Sequence, residues 1–130
     1  VTLSIDRYPA LNDTALVTCE IFLEKFLGDT TQNVAEMKSW LYFGDSTIYV
    51  YFPPLDTGLA FVGGDSCWSG IMREGDTGEY SAFVKATKIG KWMIAGRAKY
   101  DIDTIGSYFG DGDALFLWVK EDTGYSWRPW

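Results

Sequence analysis

The fold class this sequence predicts is all-β, an antiparallel sandwich of about seven to nine strands. Three observations predict it. Several stretches alternate apolar and polar residues with a period of two. Those stretches are punctuated by Gly-, Asp- and Asn-containing turns. Aromatic residues make up 17% and hydrophobic residues 47% of the 130 positions, a composition that suits a β-rich core and excludes disorder.

The most regular part of the chain is residues 64–100. Tyr80, Ala82, Val84 and Ala86 alternate with Ser81, Phe83, Lys85 and Thr87, and after Lys88-Ile89-Gly90 the residues Trp92, Ile94, Gly96, Ala98 and Tyr100 alternate with Lys91, Met93, Arg97 and Lys99. This reads as two strands joined as a hairpin. Trp68 falls on a further strand, folded back by the polar turn at residues 73–78. Small residues on the inferred inner faces leave room for large neighbours, so Trp68, Val84, Trp92, Ile94 and Leu117 are the expected core.

The remaining elements follow in order. Val1, Leu3 and Ile5 alternate with Thr2, Ser4 and Asp6 in a half-buried strand, which Pro9 and Asn12-Asp13 terminate. A long strand, able to bulge, runs from about residue 14 to residue 26. Residues 28–33 are a loop. Residues 34–43 fit either a helical face (Val34, Met37, Leu41) or a strand face (Met37, Ser39, Leu41, Phe43), and strand is preferred. Residues 48–52 form a strand leading into Pro53, residues 55–64 a glycine-containing approach, and residues 101–113 an exposed polar loop. A last strand at residues 114–120 closes a domain spanning 1–124, and residues 125–130 read as a linker.

Several of these residues carry a resemblance. Pro53, Gly64, Asp65, Trp68, Gly70, Gly75, Val84, Ala86, Gly90, Trp92 and Ile94 follow the order of an immunoglobulin-like accessory domain of surface-anchored prokaryotic, notably archaeal, proteins. The opening Tyr8-Pro9-Ala10-Leu11-Asn12-Asp13-Thr14-Ala15 is similar to that family's opening, and residues 115–122 resemble its closing strand. The resemblance implies an immunoglobulin-like sandwich in an extracellular, cell-surface setting, with the chain serving a larger surface protein. It identifies a scaffold and assigns no chemistry. The segment at 34–43 looks like an insertion relative to the family.

Charge and composition exclude several classes. A formal net charge of -7 disfavours nucleic acid and anionic lipid as partners. No run approaches the about 20 apolar residues of a bilayer span, so no direct membrane insertion is expected of this segment. Val1 opens the chain without a basic-then-apolar leader, which reads as a piece of a longer protein. With no histidine in the sequence, a Ser-His-Asp or Cys-His site cannot be built from this chain.

The candidate sites are few. Tyr49, Tyr51, Phe116 and Trp118 point away from the expected core; if adjacent and open, they would make an aromatic platform for a glycan or other ligand. Mutual cover, or contact with a neighbouring domain, is the preferred reading. Asp101, Asp103, Asp111 and Asp113 lie on one loop with oxygen donors that suit Ca²⁺, but the spacing is not that of an EF-hand and a solvated acidic loop is preferred, so no cofactor is expected. Asp-Thr-Gly occurs at Asp56, Asp76 and Asp122, and this tripeptide also carries the aspartate of dimeric aspartic proteases. Its Asp and Gly are equally good turn residues, and that reading is preferred. Cys19 and Cys67 could form one disulfide, although Cys67 falls on the outward face and Cys19 among apolar residues. Asn12-Asp13-Thr14 is a glycosylation sequon if the protein is exported, and otherwise an Asx turn. The sequence therefore predicts a non-catalytic extracellular interaction module. A carbohydrate-binding module is the alternative, and an Asp56 protease the remote one.

Overall fold

The computed structural model describes residues 1–26, 33–45, 58–102 and 106–127. Its strands are β1 (Thr2–Ile5), β2 (Thr14–Phe22), β3 (Ala35–Asp45), β4 (Leu59–Gly64), β5 (Cys67–Met72), β6 (Thr77–Ala86), β7 (Gly90–Ile102), β8 (Gly106–Phe109), β9 (Asp113–Val119) and β10 (Gly124–Ser126). Every pairing between them is antiparallel, and no helix occurs among the described residues. A four-stranded sheet in the order β1-β2-β6-β4 packs on a six-stranded sheet in the order β10-β9-β7-β3-β5, with β8 pairing the far end of β7. The architecture is an antiparallel β-sandwich.

The period of two decides which side chains enter the core. Along β2, Ala15, Val17, Cys19 and Ile21 are buried, and along β6 Tyr80, Ala82, Val84 and Ala86 are buried. From the other sheet, Met37 and Leu41 of β3, Ile94, Ala98 and Tyr100 of β7, and Leu117 and Val119 of β9 meet them. The ambiguous segment before residue 45 is strand β3: its alternation places Ala35, Met37, Ser39 and Leu41 on the buried face.

The expected hairpin between β6 and β7 does not form. β6 pairs with β2 and β4 in one sheet, whereas β7 pairs with β3, β9 and β8 in the other. The link at residues 87–89 crosses the edge of the sandwich, held where the Thr87 amide donates to the Gly58 carbonyl at 2.7 Å. Alternation reports which face of a strand is buried and is silent about which strand lies beside it. The small inner residues Ala82, Ala86, Gly96 and Ala98 thus occupy opposing layers.

Val84, Ile94 and Leu117 are fully enclosed, while Trp68 and Trp92 pack against the core from its rims, partly buried. Each indole lies over a glycine floor: a Cβ at Gly70 or Gly78 would come within 2.7 Å of the Trp68 ring, and one at Gly90 within 2.8 Å of the Trp92 ring. The Trp92 Nε1–H donates to the Lys88 carbonyl at 2.9 Å, so the ring keeps one polar edge outward, as amphipathic aromatics do. Two short strands arise where the sequence reads as irregular: β8 within the polar loop, and β10 within the expected turn and tail. The domain boundary expected after Gly124 accordingly falls inside β10.

At the corner between β4 and β5, Gly64 has φ 77°, and a Cβ there would meet the Ser81 carbonyl oxygen at 2.5 Å. Both the left-handed backbone and the close approach require glycine. Gly64→Ala is expected to lower stability by about 2 kcal/mol, read as a shifted urea midpoint. An unchanged midpoint would remove the corner from the account.

Both cysteines are free thiols: Cys19 is buried on β2 and Cys67 is exposed on β5. Asn12 sits at φ 70° and its amide donates to the Ala86 carbonyl at 2.7 Å, so the sequon lies in a turn with an exposed side chain.

Candidate functional site

The outer face of the six-stranded sheet gathers the aromatic residues that alternation turns away from the core. On β9 the inward residues are Leu115, Leu117 and Val119, leaving Ala114, Phe116 and Trp118 outward. β10 extends this face by pairing Tyr125 opposite Trp118, and the Trp127 amide donates to the Phe116 carbonyl at 3.3 Å. The rings interlock. Phe116 and Trp127 meet edge to face at 5.7 Å between centroids, and Trp118 and Tyr125 at 6.4 Å. Trp127 is fixed further by its Nε1–H, which donates to the Leu117 carbonyl at 3.2 Å.

Two lysines lie across these rings. Lys91, opposite Trp118 in the β7–β9 register, places Nζ 4.8 Å from the centroids of both Trp118 and Trp127. Lys120 lies 4.3 Å from Trp118 and 5.8 Å from Tyr125. Such distances are within cation–π range, so the ammonium groups are held by ring faces. The result is a cationic, aromatic surface on an acidic chain.

Beside it runs a groove of about 630 Å³, with Met93, Ala95 and Phe116 among its lining, together with Trp127, Arg97 and Asp113. Farther along the same face, Trp40 of β3 packs edge to face with Tyr42 at 6.1 Å and with Phe109 of β8 at 6.2 Å. The Trp40 Nε1–H is buried there, with no hydrogen-bond partner among the described residues.

Of the aromatic quartet expected from the sequence, Phe116 and Trp118 are half-buried beneath Trp127, Tyr125 and the two lysines, while Tyr49 and Tyr51 lie outside the described residues. Tyr125, Trp127, Lys91 and Lys120 were not singled out by sequence reasoning. The available signal was the aromatic spacing Tyr125-x-Trp127, a period of two that marks a strand face in a segment read as a tail.

The carboxylates have local roles. The Asp113 side chain accepts from the Leu3 and Ala114 amides, each at 2.8 Å, and pins β1 to β9. Asp101 accepts from the Ser107 hydroxyl at 2.6 Å across the β7–β8 ladder. Asp111 is exposed and its carbonyl receives the Val1 ammonium at 3.2 Å. Asp103 lies outside the described residues, among which no three or more His, Cys, Asp or Glu side chains gather as a metal site. The Asp76 carboxylate accepts from the Arg73 amide at 2.7 Å, and Lys120 N–H donates to the Thr123 carbonyl at 2.9 Å, so Asp76 closes the turn that leads into β6 and Asp122-Thr123 lies in the turn that leads into β10. Asp56 lies outside the described residues.

No protein-family model matches the chain, and no curated protein does. Among solved structures it is similar to the cupredoxin domain of amoB from Nitrosocaldus yellowstonii, with a TM-score of 0.42 and 12% identity, over 91% of this chain and 63% of that one. The chain therefore spans less than two thirds of that neighbour's length. At this level the likeness supports no functional argument.

Proposed function

We propose that this chain is a non-catalytic, extracellular β-sandwich module of a larger surface protein, making its contacts through the outer face of the six-stranded sheet. The observation that carries this reading is the row of Phe116, Trp118, Tyr125 and Trp127 with Lys91 and Lys120 laid across it. Rigid aromatic rings supply contact area at low entropic cost, and aromatic residues are enriched in protein contact surfaces. A second support is the use of carboxylates as backbone acceptors: Asp6, Asp76, Glu74 and Asp113 each hold a loop or strand end. The resemblance to accessory domains of surface-anchored prokaryotic proteins supports the cell-surface setting and makes neighbouring domains or another surface protein the partners. Among the described residues no helix is long and apolar enough to cross a membrane.

The test places a photo-crosslinking amino acid at position 118, or at position 83 on the outer face of the opposite sheet, in the chain displayed on its native cell surface. A discrete adduct from position 118 and none from position 83 is expected. Equal labelling from both positions, or none from either, would count against the reading.

The groove beside Trp127 favours one alternative, a carbohydrate-binding module with Trp127 and Phe116 as ring platforms and Arg97 as a hydrogen-bond donor. That reading expects saturable glycan binding, lost in Trp127→Ala. A silent glycan array would retire it.

A further inference from the structure

β5 is the outermost strand of the six-stranded sheet: β3 takes one of its edges, and among the described residues no strand takes the other. Open edges are normally blunted by shortness, charge, proline or a bulge, because a free row of backbone donors and acceptors recruits another strand. The other sheet edges among the described residues follow that rule. β1 is four residues long, β10 is three, and β4 breaks register between Phe61 and Gly63. β5 is six residues long, pairs with β3 without a break, and contains neither charge nor proline. Its outward side chains Cys67, Ser69 and Ile71 are exposed, Ile71 to 67%.

The sequence around this edge is complementary to itself. Run antiparallel against a second copy about Ser69, β5 sets Ser69 against Ser69 and Cys67 against Ile71, and it brings Asp65, at the corner before the strand where its amide donates to the Ser81 carbonyl at 2.8 Å, to the same end as the second copy's Arg73, the residue after the strand. Centring on a residue keeps outward side chains opposite outward ones, whereas centring between two residues would set the outer face of one copy against the inner face of the other. Among the residue-centred registers, the one at Ser69 places these oppositely charged flanks at matching ends, twice by symmetry. Both of these charged residues are exposed. Beside the ladder, β4 is, among the described residues, the edge of the facing sheet and leads directly into β5, and its Phe61 and Val62 are 43% and 53% exposed. They add apolar surface along the same edge.

We propose that β5 docks a second copy of this chain by antiparallel strand pairing about a two-fold axis at Ser69, merging two six-stranded sheets into one. A single added strand buries less than a large obligate interface, so the dimer is concentration-dependent.

Sedimentation of the chain over a concentration series tests this. The expected result is a monomer–dimer equilibrium that Ile71→Lys weakens by about tenfold or more, since an edge lysine blocks pairing, with the melting temperature unchanged. Arg73→Asp should weaken the dimer, and the exchange Asp65→Arg with Arg73→Asp should restore it. Ile71→Cys, which brings a thiol opposite Cys67 of the second copy, should give a disulfide-linked dimer on oxidation that Cys67→Ser abolishes. A chain that stays monomeric at about 1 mM overturns the proposal, leaving the edge to a foreign strand. A dimer indifferent to Ile71→Lys, or one that the charge exchange fails to restore, overturns it as well.

Discussion

An Ile94→Ala protein is expected to lose about 3 to 4 kcal/mol of stability, with a melting temperature lower by about 10 to 15 °C. Ile94 has no solvent exposure and sits on β7, the strand that joins β3 on one side to β9 on the other. In register it lies between Phe43 of β3 and Leu115 of β9, and across the sandwich it belongs to the same cluster as Val17 and Val84. Truncation removes transfer energy and leaves a cavity that flanking strands, fixed by their ladders, cannot close. Ile71→Ala is the control, because that side chain is 67% exposed and its loss should stay within about 0.5 kcal/mol for the monomer. Urea denaturation of both variants checks the contrast. Equal effects would mean that the core is not centred on β7.

The second large effect concerns the polar centre of the core. Ser39, with 1% exposure, donates its hydroxyl proton to the Arg97 carbonyl at 2.7 Å and accepts from the Tyr80 hydroxyl at 2.8 Å, with Cys19 Sγ 3.8 Å away. Ser39→Ala leaves the buried Tyr80 hydroxyl without its acceptor and should cost about 2 to 3 kcal/mol. Burial holds the Tyr80 phenol well above its ordinary pKa; the Ser39 hydrogen bond works in the opposite direction, and Cys19 adds to the rise. Folded Tyr80 keeps its proton at a pH where the unfolded chain's tyrosine has ionised. Its contribution is therefore fully present below about pH 10 and falls as pH rises above that value, at up to about 1.4 kcal/mol per unit. Between about pH 9 and pH 11 the wild type should lose more stability than Tyr80→Phe, by about 1 kcal/mol. Equal losses in the two proteins would show that Tyr80 does not couple folding to alkaline pH.

By itself, the sequence determined the β class and most inward faces. Alternation along residues 15–21, 80–86 and 115–119 is a local property that survives whatever lies beside each strand. It also determined that histidine-dependent chemistry is closed to this chain, and it placed Phe116 and Trp118 on an outer face. Strand partnership was decided only in three dimensions. Residues 80–86 and 92–100 carry the pattern of a hairpin, yet the chain turns over the sandwich edge between them, because small inner residues pack as well across layers as beside one another. The character of the contact face was likewise tertiary. Nothing local to Tyr125-Ser126-Trp127 shows that this segment pairs with β9, and nothing local to Lys91 or Lys120 shows that their ammonium groups rest on Trp118. Those relations depend on backbone pairing between residues distant along the chain, which fixes which side chains share a face.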